Sequence, residues 1–361
     1  MASQEDAVTV SPPPANSDPE PEGSCLGAPT TRSAPVGDAL DAAVEAVVRC
    51  AHRIWDDKAI GLIYAHYDRN VRVHQTGAEQ CGRGEVVEAT VQRLAAFPDL
   101  RLYGDEVIWN RELDGVLLSH RVTSSAHHHG HGTYGPPTGH RVHRREITQY
   151  TVRAGRVHEV WSVQDELALV RQLGLDEWAL ARAMVQAEAD RSGQPAPTYF
   201  GEGPSRATWD HALPEPDGGP QNPAELPELI YGLIWNARML NVVHRVYAPT
   251  AVIWVPGHRR LDGPQALTAY VLQWLAAFPD GAVQVEHVAW TEQGAQGFKV
   301  AVRWTFRGTH TGAGVYGSPT QRRVHVLGIS HFDIQGGQVV REDMVWNEFA
   351  LLKQLCRPDT P

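Results

Sequence analysis

Apolar residues recur at three- and four-residue spacing from Leu40 through Val44, Val47, Val48, Ala51, Ile54 and Trp55. That stripe predicts an amphipathic helix opening at Gly37-Asp38, with Asp38 as its N-cap. A second short helix is predicted over 58–67 and a short strand from Val71 to His74. Helical spacing returns from Glu85 to Phe97 and is stopped by Pro98, because the residue before a proline is driven out of the helical region. The period then changes to two. Runs rich in β-branched and aromatic residues predict strands near 100–110, 115–127, 140–152 and 155–164. Asp165 to Leu173 reads as a helix ended by Gly174, with a further helical run from Asp176 to Ala189.

The same order then repeats. Asn222-Pro223-Ala224-Glu225 has the cap, proline and glutamate of a helix start. Helices are predicted to about 249, a strand at 251–255 and a helix at 264–278. Strands follow near 283–291, 297–309, 323–334 and 337–346, and Asn347 to Leu355 closes the chain as a helix. The hexapeptide LAAFPD occurs at Leu94–Asp99 and again at Leu275–Asp280. Ile54-Trp55 and Tyr67 match Ile234-Trp235 and Tyr247 at an offset of 180, and Tyr134–Thr138 matches Tyr316–Thr320 at 182. Such constant register marks an internal duplication.

Helices followed by strands predict an α+β class. The expectation is two tandem cone-shaped units, each with N-terminal helices packed on a curved antiparallel sheet around an apolar, ligand-sized cavity. The boundaries expected are a disordered Pro/Ser-rich tail over 1–36, a first domain over 37–190, a linker over 191–222 and a second domain over 223–357.

Composition narrows the function classes. A length of 361 residues suits two domains, and 42% hydrophobic content suits two cores. The net charge of −10, without a basic cluster, argues against nucleic acid and anionic membranes as partners. No stretch approaches eighteen apolar residues, so no membrane span is expected, and the cytoplasm is the default location. Cys25, Cys50, Cys81 and Cys356 form no C-x-x-C pair, which predicts neither disulfides nor a thiolate zinc site.

Several side chains carry candidate chemistry. Trp55 and Tyr67 with their twins Trp235 and Tyr247, together with His74 and its counterpart Trp254, read as core and cavity wall. His143 and His325 hold equivalent strand positions, from which either could donate to a substrate carbonyl or serve structurally. His127, His128, His129 and His131 crowd one glycine-containing stretch, read as a flexible surface loop. Repeat 2 keeps only His310 of that cluster, so no metal site is assigned. In both FPD motifs the phenylalanine packs, the proline ends the helix and the aspartate bonds the turn.

As a set, LAAFPD, HHHGHGTYGPPTGHRV (His127 to Val142), the turn and strand from Gly155 to Trp161, and DELALVRQLG (Asp165 to Gly174) resemble the SnoaL-like polyketide cyclase family. That family lies within the nuclear transport factor 2-like and ketosteroid isomerase-like fold. Repeat 2 carries the counterparts LAAFPD, THTGAGVYGSPTQRRV and NEFALLKQL. The resemblance implies a small apolar or polyketide-like carbonyl ligand, no metal or cofactor, and intramolecular aldol-type ring closure by an acid near the end of the last strand. It also implies that the two repeats form an intramolecular pseudo-dimer. The family's acid falls on Asp165, which reads equally as a helix N-cap. Its counterpart Asn347 would cap as well but could not act as a base. Alternation places Glu159, Trp161, Val163 and Asp165 on one face, expected to be the cavity side. Asp343, which aligns with Trp161 in the second repeat, is a candidate for a relocated acid. A non-catalytic binding module, or an isomerase or hydrolase on the same fold, is the alternative function.

Overall fold

The computed structural model describes residues 36–192, 218–294 and 297–357. The expected tail and most of the expected linker lie outside the described residues. Domain 1 runs α1 (Val36–Asp56), α2 (Leu62–His66), β1 (Tyr67–Gln75), β2 (Ala78–Cys81), α3 (Gly82–Ala96), β3 (Arg101–Glu112), β4 (Gly115–His127), β5 (Arg141–Arg153), β6 (Arg156–Gln164), α4 (Glu166–Gln172) and α5 (Glu177–Ser192). Domain 2 opens with a π-helical segment, Glu228–Asn236, and a short 3-10 turn. It continues through α6 (Val243–Val246), β7 (Tyr247–Val255), β8 (Arg259–Asp262), α7 (Gly263–Ala277), β9 (Ala282–Glu292), β10 (Gly297–Thr309), β11 (Arg323–Gln335), β12 (Gln338–Trp346) and α8 (Glu348–Cys356).

Each domain folds one six-stranded sheet, in the orders β2-β1-β6-β5-β4-β3 and β8-β7-β12-β11-β10-β9. The sheets are mixed. β1 lies parallel to β6, and β7 parallel to β12. Side-chain alternation does not report the direction of pairing between strands far apart in sequence, which is why an all-antiparallel sheet was the simpler expectation.

The duplicated hexapeptide has a packing cause. Gly130 and Gly312 cross the ends of α3 and α7 so closely that an added Cβ would lie 1.8 Å from the Ala95 carbonyl oxygen, or 1.7 Å from that of Ala276. Only glycine over a small-residue helix end permits this crossing. The Gly/His stretch is therefore packed down, contrary to the flexible loop expected. His128 and His310 brace it, each bonding a threonine of its own loop (Thr138 at 3.3 Å, Thr320 at 3.1 Å). The FPD aspartate reaches further than its own turn. Asp99 accepts from the His127 N–H at 2.8 Å and Asp280 from the Thr309 N–H at 2.6 Å, tying helix to strand end.

The two sheets face each other. Ile147 and Val163 pack with Leu327, Ile329 and Val345, and Ile108 and Leu117 with Ala289 and Ala301. Arg145 lies over the Trp254 ring at 3.8 Å and Arg303 over Trp161 at 3.6 Å. His331 bonds Ser119 Oγ at 2.7 Å and Glu106 at 2.9 Å. That serine–histidine–glutamate chain is closed within the interface, with Ser119 fully buried. The domains thus form a pseudo-dimer within one chain. Among the described residues no helix is long and apolar enough to cross a membrane.

Candidate functional site

Domain 1 encloses a cavity of about 310 Å³ between its helices and the inner face of its sheet. Ala51, Ile54 and Trp55 enter it from α1, Ala89 and Arg93 from α3, and Tyr67 from the start of β1. The sheet contributes His120, Val122, Arg144, Glu146, Ser162 and Gln164. Tyr134 closes it from the β4–β5 loop and Glu166 from the first turn of α4.

The polar lining is organised. Arg93 donates to Glu146 at 2.5 Å and Arg144 to the same oxygen at 3.3 Å. Burial pushes the Glu146 carboxyl up, but the Arg144 and Arg93 guanidiniums more than offset this and hold it down at about 2. Glu146 is therefore a fixed anion and unsuited to proton transfer. Arg93 also stacks over Trp55 at 4.5 Å. The Nε groups of Arg93 and Arg144 find no hydrogen-bond partner among the described residues. Burial, with His52 and His331 nearby, pushes His120 down to about 4, so its ring is neutral at physiological pH. Tyr134 donates to Glu166 Oε1 at 2.8 Å, and Asn347 of domain 2 donates to Glu166 Oε2 at 2.6 Å. Burial first, and then Glu166, keep the Tyr134 hydroxyl protonated.

Domain 2 fills the same place with rings. Equal element lengths fix the correspondence: α3 and α7 have 15 residues each, β4 and β10 13, β5 and β11 13, β6 and β12 9. Arg93 becomes Trp274, Val122 becomes Trp304, Gln164 becomes Trp346 and Ala89 becomes Tyr270, and the Ile-Trp offset of 180 sets Tyr231 in place of Ala51. Arg144 and Glu146 become Val326 and Gly328. The Trp304 ring lies where a residue-328 side chain would begin, 2.2 Å from an added Cβ. What remains is a gap of about 10 Å³.

Of the residues proposed from sequence, Trp55 and Tyr67 line the cavity. Trp161, Asp165, His143 and His74 do not. The inner face carries Val160, Ser162 and Gln164, so the expected facing is off by one residue, and one residue turns every side chain to the other side. Trp161 faces domain 2 under Arg303, with His74 stacked on it at 5.1 Å. Asp165 is buried at the interface, where its carboxylate caps α4 through the Ala168 N–H at 3.2 Å. It also accepts the Gly257 and His258 N–H groups of domain 2 at 2.8 and 3.0 Å. Those two residues have positive φ, and consecutive N–H groups in that conformation form a nest for an anion.

His143 and His325 are tied through their backbones to Gln172 and Gln354, off the cavity side. Trp254 sits under Arg145 at the interface. Tyr247 is buried in the filled domain 2, donating to Glu342 at 2.7 Å. Asp343 is bound by Arg341 at 2.6 Å, with Arg145 at 3.4 Å and Arg121 at 3.6 Å, and is not a free acid. Arg93, Arg144, Glu146, His120, Tyr134 and Glu166 were not proposed as site residues from sequence. The available signal was charge on buried-type positions where repeat 2 carries Trp274, Val326 and Gly328.

A family model described as SnoaL-like polyketide cyclase matches residues 45–173 and 228–355. Among curated proteins none matches this chain. Solved structures similar to it include AclR from Streptomyces galilaeus (25% identity, 36% of this chain and 94% of that one, TM-score 0.32). TsrD from Streptomyces laurentii is another (21%, 37% and 96%, 0.33). A SnoaL-like polyketide cyclase from Agrobacterium tumefaciens is a third (22%, 36% and 97%, 0.31).

Proposed function

Because the chain belongs to the SnoaL-like polyketide cyclase family, we propose that domain 1 is a cofactor-independent acid/base site for a small enolisable carbonyl compound, and that domain 2 has no substrate cavity of its own. The observation that carries this reading is the pairing of an open, polar-lined cavity in one unit with a ring-filled equivalent in the other. The lining calls for a ligand more polar than the apolar compound expected from sequence. Its carbonyl oxygens would lie against Arg93 and Arg144, and its carbon skeleton against Ile54, Trp55 and Val160.

Glu166 is the carboxylate placed for proton transfer. It takes a proton from the carbon next to a carbonyl, and the C–H electron pair becomes the enolate, stabilised by the guanidinium charge. The enolate carbon then attacks a second carbonyl of the same molecule, forming the ring C–C bond. The new alkoxide recovers the proton from Glu166. Tyr134 holds the carboxylate, and neutral His120 offers a hydrogen bond to a carbonyl oxygen.

Exchange of α-protons with D2O, followed by NMR on a panel of 1,3-dicarbonyl compounds, tests this without knowledge of the natural product. The wild type should accelerate exchange of at least one member. Glu166→Gln should lose that acceleration by about 100-fold or more, and Asp165→Asn should retain it. No acceleration by the wild type, or full acceleration by Glu166→Gln, would refute the assignment.

A further inference from the structure

The first turns of α4 and α8 meet across the interface, and each begins with a cap followed by a glutamate: Asp165-Glu166 and Asn347-Glu348. Asn347 Oδ1 accepts the Ala350 N–H at 2.8 Å. That bond fixes the orientation of the amide, so its NH2 end is turned to domain 1 and donates to Glu166 Oε2 at 2.6 Å. The glutamate of domain 2 is held differently. Glu348 takes the Tyr316 hydroxyl at 3.0 Å and the Arg259 guanidinium at 2.8 Å. Arg259 opens β8, and the residue that opens β2 in domain 1 is Ala78. A full cation therefore pins Glu348, while Glu166 is held by two neutral donors, one of them from the other domain.

We infer that Asn347 is a positioning residue through which domain 2 completes the domain 1 site by orienting Glu166. This rests on the reading of Glu166 given above. Capping alone does not require asparagine, since Asp, Ser and Thr also cap. An aspartate at 347 would turn a second carboxylate on Glu166, beside Asp165 and Glu348. Asparagine caps its own helix and donates across the interface at once. The groups facing Glu166 are Tyr134 from the β4–β5 loop, Asn347 from the start of α8, and Arg144 on β5, whose charge interacts with it. Arg93 and Glu146 share the cavity, and neighbouring Asp165 is turned to Gly257 and His258. The arrangement accounts for a second unit that has lost its own cavity yet keeps the family frame.

The test uses the full chain with 13C-labelled glutamate carboxyls, the Glu166 signal being assigned by its loss in Glu166→Gln. Asn347→Ser keeps a cap but is too short to carry a donor to Glu166. Asn347→Asp keeps a cap and adds a like charge. The Glu166 signal should move in Asn347→Ser at neutral pH while the Glu348 signal stays. In Asn347→Asp, where the donor gives way to a like charge, the Glu166 signal should move as well. A Glu166 signal unchanged in both variants overturns the inference. The readout needs no substrate, so it fails separately from α-proton exchange. A moved signal in a protein that accelerates no exchange would sink the catalytic reading and leave the contact standing.

Discussion

Two copies of one frame differ most where their helices face their sheets. In domain 1, Arg93, Arg144 and Glu146 form a buried charge group beside about 310 Å³ of space. In domain 2, Trp274, Trp304 and Trp346 close the same place, with the Trp274 and Trp346 rings 4.7 Å apart and edge to face. The loop crossing, the caps and the sheet order survive in both. The frame thus tolerates either content, and the content decides whether a ligand can enter.

The largest expected effects come from removing what fills each copy. Trp304→Ala should cost domain 2 about 3–5 kcal/mol through the void it leaves. Glu146→Ala should cost domain 1 a similar 3–5 kcal/mol for a different reason, because the buried Arg144 and part-buried Arg93 guanidiniums lose their counter-charge. Chemical denaturation followed by near-UV circular dichroism measures both. If Glu146→Ala unfolds like the wild type, the charge group is not what holds the cavity wall.

The pH dependence should separate the copies next. Glu146 is held at about 2, below its ordinary value of 4.5. Its contribution is therefore present above pH 4.5 and lost as pH falls toward 2. Glu342, buried beside Tyr247, is pushed up to about 7, chiefly by burial. Its folded form keeps a proton that the unfolded form gives up, so domain 2 loses stability as pH rises from 4.5 through 7. Glu342→Gln should flatten that limb and leave the acid limb; a loss of stability from pH 4.5 to 7 that persists in Glu342→Gln would show that another group causes it.

A smaller effect is expected at the pseudo-twofold contact. Asp165→Asn exchanges a carboxylate accepting three N–H groups for an amide oxygen, and should cost about 1–3 kcal/mol without slowing α-proton exchange. Equal stability of variant and wild type would remove Asp165 from the docking account.

Much of this fold was legible in the chain. Nearly every long strand and helix could be read from its period, and the repeat from its hexapeptide. The short edge strands β2 and β8 were missed because four residues carry too little pattern. The facing of β6 could not be read. Val160, Ser162 and Gln164 look into the cavity while Trp161 and Val163 pack on domain 2, so both faces are covered and alternation does not say which is inner. Trp161 drew the assignment to the wrong side, and Asp165 went with it. The Asp165/Asn347 difference was visible in sequence, but its meaning is a contact between copies, which periodicity within one copy does not encode.

The smallest change in stability carries the sharpest test. Ala89→Tyr places in domain 1 the ring that domain 2 has at Tyr270, directed into existing space, so the cost to folding should fall at the low end for added bulk, about 1 kcal/mol. Indole N–H signals of wild type and Ala89→Tyr should be followed by NMR while cyclohexane-1,3-dione is added. Trp55 should show a saturable shift in the wild type, Trp274, Trp304 and Trp346 should show none, and the Trp55 response should be lost in Ala89→Tyr. A response from the domain 2 tryptophans, or a Trp55 response untouched by Ala89→Tyr, would contradict a ligand site confined to the domain 1 cavity.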